Sequence, residues 1–197
     1  MPVNKLNLED ERYSFLNLFQ QNKERFIEEY DKSLADKAIS EWSMIVLHAG
    51  VDYTPNGKKF DVLKECFEKM PEHIQPLSLM FSVIKGKTAF HQEPWTEKTG
   101  FHRIHIPLRN VDKCSLFIRE QDNQTIEYKY DTKNIYEFVN PYNEHMPITT
   151  GDGDRLFILF DYYNKQENPA VSGKDIEEYL YLAETQFMAN KGGGVYK

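Results

Sequence analysis

Cysteine is scarce in this chain: Cys66 and Cys114 are the only two in 197 residues, too few for a disulfide framework. A reducing, cytoplasmic compartment is therefore expected. Basic runs are absent as well. No stretch of Lys or Arg exceeds Lys58-Lys59, and 24 basic residues stand against 31 acidic ones, a formal charge of −7. That balance argues against a nucleic-acid partner held by its phosphate backbone. Long apolar runs are missing too: Met44–Leu47 and Leu156–Phe160 are far too short to cross a bilayer, so no membrane partner is expected. The first ten residues hold no continuous apolar stretch, and no signal peptide is expected. There is no internal repeat, and Gly192-Gly193-Gly194 is the sole low-complexity segment.

What is present is aromatic and apolar mass. Thirteen Phe, 12 Tyr and 2 Trp, within 40% hydrophobic residues, exclude a disordered chain. A chain of 23.3 kDa is large enough to bury its own core.

The apolar pattern changes period along the chain. Phe15, Leu16, Phe19, Phe26, Ile27 and Tyr30 recur at near-helical spacing and predict a helix over residues 9–36. Val62, Leu63, Cys66, Phe67 and Met70 predict a second helix from Asp61, a candidate cap, to Met70, where Pro71 stops it. From Leu77 to Tyr163 the period becomes two. Strands are predicted at Leu77–Lys85, Arg103–Arg109, Ser115–Glu120, Thr125–Tyr130, Ile135–Val139 and Leu156–Tyr162, with a short extra one at Thr88–His91. A final helix is expected from about Lys174 to Ala189, with Ser172 and Asp175 as a capping pair and Gly192 as its stop. The fold class is mainly β with flanking helices: a barrel, sandwich or jelly roll.

Three segments carry residues suited to chemistry. In His91-Gln92-Glu93 an extended backbone projects positions i and i+2 to one face. An imidazole and a carboxylate so placed can grip one metal, and a distant imidazole would complete a two-histidine, one-carboxylate facial triad. The bland alternative for a single such tripeptide is surface polarity. The second segment is His145, followed by the turn Gly151-Asp152-Gly153-Asp154 and then Arg155, which heads the apolar run Leu156–Phe160. Such an arginine either caps the strand mouth in solvent or enters a cavity, where its planar fork would receive a carboxylate. In the third, Arg103–Arg109, alternation puts Arg103, His105, Pro107 and Arg109 on one face and Ile104, Ile106 and Leu108 on the other. If the isoleucine face packs outward, the Arg/His face lines a lumen suited to a dianion; otherwise it faces water.

Taken in order, these segments resemble the aspartyl/asparaginyl β-hydroxylase family, which includes some free-proline hydroxylases. The resemblance covers about residues 78–163. Ser82-Val83-Ile84-Lys85-Gly86-Lys87-Thr88-Ala89-Phe90-His91 resembles the family's strand, glycine turn and first ligand; Arg103–Leu108 resembles its Arg-x-His strand; Asn143-Glu144-His145 with Arg155–Asp161 resembles its second ligand and cosubstrate arginine.

The resemblance implies a double-stranded β-helix (jelly roll, cupin-like) and an Fe(II)- and 2-oxoglutarate-dependent dioxygenase that uses O2 to hydroxylate an amino-acid side chain. The substrate would be a small molecule or a peptide. His91 and His145 would be iron ligands, Arg155 would bind the distal carboxylate of 2-oxoglutarate with help from Ser82, and Arg103 with His105 would bind its iron-proximal end. Glu93 stands where some members have an aspartate ligand and others a glycine, and ligation is expected of it. His105 is the poorer candidate for first ligand, because Pro107 at i+2 cannot coordinate. Trp95, Arg109 and Arg119 are the expected substrate contacts. The implied organisation is a helical region at 1–72, a catalytic core at 73–165, and a helix and tail at 166–197, all in one compact unit. The rival readings are a non-catalytic jelly-roll binder and a cupin-like metalloprotein with a different reaction.

Overall fold

Two antiparallel sheets face each other in the computed structural model, which describes residues 3–34, 42–50, 52–87, 89–91, 101–120, 124–139, 144–150, 154–167 and 177–178. In chain order the strands are β1 (Val3–Lys5), β2 (Trp42–Ala49), β3 (Asp52–Tyr53), β4 (Ile74–Ile84), β5 (Phe101–Arg109), β6 (Cys114–Arg119), β7 (Thr125–Lys129), β8 (Tyr136–Phe138), β9 (His145–Thr149) and β10 (Arg155–Asn164). The larger sheet runs β1-β8-β5-β10-β4-β2-β3 and the smaller β7-β6-β9. Isolated bridges from Lys87 to Ile148 and from His91 to His145 attach the segment after β4 to the smaller sheet. The mainly-β jelly roll expected from the sequence is the fold observed.

The helical segment predicted over 9–36 is broken into shorter pieces. A 3-10 turn at Ser14–Leu16 leads into α1 (Asn17–Gln21), and α2 (Lys23–Ser33) follows. The break falls at Asn22, whose side-chain amide turns back onto the Leu18 carbonyl at 2.7 Å and competes with the backbone ladder. The third helix, α3 (Asp61–Glu68), begins after Phe60, and Asp61 lies in its first turn without capping it. The first 72 residues also supply β1, β2 and β3, strands the helical periodicity concealed. The C-terminal helix expected at 174–189, with its Ser172/Asp175 cap, lies outside the described residues apart from helical positions 177 and 178.

The outer face of the larger sheet carries Leu79, Phe81 and Val83 from β4, Ile104 and Ile106 from β5, and Leu156, Ile158 and Phe160 from β10. These pack on Phe19, Phe26 and Tyr30 of the helices in one buried cluster. The opposite face turns toward the smaller sheet, where Leu116 and Ile118 of β6 meet Phe138 and Phe157 in a second cluster. Burial on both faces explains why β4 and β10 read as near-continuous apolar strands, whereas β5, buried but lining the cleft, alternates Arg103 and His105 with Ile104 and Ile106.

Candidate functional site

The space between the sheets holds a cleft lined by residues of both. The register determines what lines it. Across β10, Phe157 faces Ser82 of β4 and Pro107 of β5, Leu159 faces His105, and Asp161 faces Arg103 and Ser78. Because cross-strand partners share a face, packing the isoleucines of β5 on the helices turns Arg103 and His105 inward, and both line the cleft.

His91 and His145 meet at its mouth. Each donates its backbone N–H to the other's carbonyl, at 3.0 and 2.9 Å. Their rings lie side by side with centroids 4.3 Å apart. His91 Nδ1 is 3.0 Å from the Ala89 carbonyl oxygen. A carbonyl only accepts, so Nδ1 carries the proton and Nε2 is left as the ring's lone-pair nitrogen. That second-atom anchoring is the habit of metal-binding histidines. His145 is buried and packs edge-on against Phe138. Glu93 and Trp95 lie outside the described residues. Among the described residues no third carboxylate, cysteine or histidine joins the pair as a metal-binding group.

Arg155 opens β10 opposite Ile84 and is 0% exposed. The turn before β6 helps to hold its end of the strand: Asn110, in the left-handed region at φ 56°, donates its side-chain amide to the Asp154 carbonyl at 2.9 Å. Arg155 Nη1 donates to the Cys114 thiol, while among the described residues Nε and Nη2 have no partner. A buried guanidinium left in this state is costly, and a neutral thiol is a weak acceptor. The two remaining nitrogens are suited to an anionic ligand. Ser82 lies two residues before Ile84 on the same strand face and lines the cleft.

Arg103 is compensated from within. Its Nε and Nη2 each donate to Asp161 at 2.8 Å, and Ser78 donates its hydroxyl to the same carboxylate at 2.8 Å. His105 Nδ1 lies 2.7 Å from the Tyr130 hydroxyl. Burial, reinforced by the neighbouring Arg103 and His145, pushes the His105 imidazole down to about 3, so the ring is neutral. Burial also holds the Tyr130 phenol well above its usual range, with Cys114 and Tyr136 acting in the same direction and Arg155 opposing. Tyr130 is thus a protonated donor to Nδ1, which leaves His105 its Nε2–H as a neutral donor.

Two residues expected at the substrate end sit differently. A register shift between Leu156 and Phe157 skips one residue of β5, so Arg109 faces Leu156 and falls on the helix side. There it donates to Asp31 at 2.9 and 2.8 Å and lies over the Tyr30 ring. Arg119, by contrast, lies near the mouth, ion-paired with Glu144 and stacked 4.4 Å above the Phe90 ring. The sequence reading passed over Tyr130 and Cys114, both of which line the cleft. The Cys114-Leu116-Ile118 alternation was a readable sign of an inward face. Tyr130, just past the end of β7, continues the Ile126-Tyr128 alternation, a sign of the same kind.

No family model and no curated relative matches the chain. Solved structures do. A 2OG-Fe(II) oxygenase family oxidoreductase from Burkholderia pseudomallei aligns with TM-score 0.52 at 10% identity, over 73% of this chain and 78% of that one. The non-heme alpha-ketoglutarate-dependent carbocyclase SnoK of nogalamycin biosynthesis aligns with TM-score 0.50 at 10% identity, over 82% and 87%. The epimerase SnoN of the same biosynthesis aligns with TM-score 0.50 at 10% identity, over 73% and 74%. The chain therefore has the double-stranded β-helix fold on which these 2-oxoglutarate-dependent enzymes are built.

Proposed function

We propose that this chain is an Fe(II)- and 2-oxoglutarate-dependent oxygenase that hydroxylates an amino-acid side chain, free or within a peptide. The observation that carries this reading is Arg155: a fully buried guanidinium with two unpartnered nitrogens, behind a cleft whose mouth holds two adjoining histidines. A dicarboxylate bridging a metal at the histidines and the guanidinium behind the cleft satisfies both ends at once. The descriptions of the solved structures with this fold agree with the reading. The finer assignment, to the aspartyl/asparaginyl β-hydroxylase family, rests on the order of the Ser82–His91, Arg103–Leu108 and His145–Arg155 segments.

His91, His145 and Glu93 would hold the metal, which with 2-oxoglutarate supplies the oxidative activation of O2 needed to attack a C–H bond. The remaining residues bind and orient. Arg155 receives the distal carboxylate of 2-oxoglutarate, with Ser82 alongside. His105, neutral and fixed by Tyr130, offers an N–H to the other end. Arg103, locked on Asp161, lends a rigid wall of compensated charge. Phe138, Phe157 and Leu159 exclude water between these polar points. Arg119 at the mouth and Trp95, four residues after His91 in sequence, are the proposed substrate contacts, and no such role is proposed for Arg109, which is bound to Asp31.

The deciding experiment is an anaerobic titration of the Fe(II)-loaded protein with 2-oxoglutarate, followed in the visible region. A metal-to-ligand charge-transfer band is the expected result. Bound iron without the band would instead support a cupin-like metalloprotein with a different reaction. No bound iron would leave a jelly-roll binder.

A further inference from the structure

We propose that Cys114, whose sulfur lines the cleft and touches the Arg155 fork, is a specificity-determining residue that sets the length of dicarboxylate the cleft accepts. The inference rests on the reading of Arg155 as the anchor of the distal carboxylate. Cys114 starts β6 with its side chain inward, is 2% exposed and lines the cleft. Arg155 is fully enclosed directly behind it, with Nη1 on the sulfur and Nε and Nη2 unpartnered. A carboxylate that reaches those nitrogens must lie against the Cys114 side chain.

The chemistry of the thiol fits a gauge. Burial raises it to about 11, so it stays protonated and supplies no anion that would compete for the fork. As a weak acceptor it yields the guanidinium readily to a carboxylate. Its bulk then meets the last carbons of the ligand. Sulfur occupies about the space of one methylene, and one methylene in a closely fitting pocket discriminates by roughly 10–200-fold. Cysteine at this position matches the five-carbon 2-oxoglutarate against the six-carbon 2-oxoadipate.

The test is calorimetric titration of the Zn(II)-loaded full chain with 2-oxoglutarate and with 2-oxoadipate, a binding readout that needs no turnover. Wild-type protein is expected to bind 2-oxoglutarate more tightly by at least about tenfold. In Cys114→Ala that ratio is expected to fall about tenfold or more, toward 2-oxoadipate. In Cys114→Val, which adds bulk, 2-oxoglutarate binding weakens and the ratio moves the other way. Opposite shifts from the two variants are not produced by general loosening, and the valine variant decides the question if the alanine variant does not fold. An unchanged ratio in the variants, with wild-type protein binding 2-oxoglutarate, overturns the length gauge alone. Wild-type protein that binds neither acid overturns both the gauge and the oxygenase reading.

Discussion

His91 and His145 are joined through both of their backbone hydrogen bonds, so the two imidazoles hang from one rung with ring centroids 4.3 Å apart. The rung fixes the separation of their backbones, while the Ala89 carbonyl at His91 Nδ1 and the Phe138 ring against His145 orient the imidazoles. His145→Ala and His91→Ala are each expected to lower Fe(II) affinity by more than the 10–100-fold typical of losing an outer-shell partner. Metal content after dialysis against a graded chelator checks this. Wild-type stoichiometry in either variant would move the metal elsewhere.

Among the described residues Arg155 Nε and Nη2 have no hydrogen-bond partner. Arg155→Ala is expected to weaken 2-oxoglutarate binding by roughly 2–5 kcal/mol. Arg155→Met has a second, opposite effect. A buried charge without its partner is replaced by apolar bulk, and the ligand-free protein is expected to gain about 1 kcal/mol or more. Urea unfolding with and without 2-oxoglutarate separates the two: higher stability alone, no gain on adding ligand. A less stable methionine variant would mean that Arg155 is compensated in solution.

Arg103 and Asp161 behave in the opposite way, as a complete pair. Both side chains are 3% exposed and joined by two 2.8 Å bonds. Asp161→Asn is expected to destabilise by about 3–5 kcal/mol, the cost of leaving one buried partner uncompensated. Denaturant midpoints check this, and a loss below 1 kcal/mol would show that water reaches the pair.

His102 points to the other face of β5, stacked on Tyr162 and clamped between Glu137 at Nδ1 and Glu167 at Nε2. Burial alone would depress its pKa, but the two carboxylates outweigh burial and raise it above 6.5. Its contribution to stability is therefore fully present below the unfolded value and lost as pH rises through the raised folded one. His105 and His48, pushed by burial to about 3 and about 4, act with the opposite sign and cost stability as pH falls below 6.5. His102→Gln is expected to flatten the fall of the thermal midpoint as pH rises above 6.5 while sparing the acid limb. An unaltered alkaline limb would show that His102 is not charged in the folded protein.

Tyr130→Phe is expected to release the His105 ring. The tautomer is no longer imposed at Nδ1, so 2-oxoglutarate affinity falls by about 1 kcal/mol, the size of one hydrogen bond, and its pH dependence changes. A lower affinity with an unchanged pH profile would instead indicate a simple packing role.

Period-two alternation and turn signals determined the β domain, because a half-buried strand writes its face into every second residue. They also placed Arg103 and His105 opposite the isoleucines, and the order of the three motif segments marked His91, His145 and Arg155. Tertiary structure decided the rest. The bulge opposite Leu156 carried Arg109 to the helix side, and no alternation rule reveals where one residue is skipped. Strands β1 and β2 emerged from a region read as helical, because their partners β8 and β4 lie dozens of residues away, and β3 follows as the hairpin partner of β2. Above all, the charges of Arg103 and Arg155 have the same sign in the sequence. Only the folded register gives one of them Asp161 and leaves the other, among the described residues, with the Cys114 thiol, a difference set by contacts across strands, on which the proposed anion site rests.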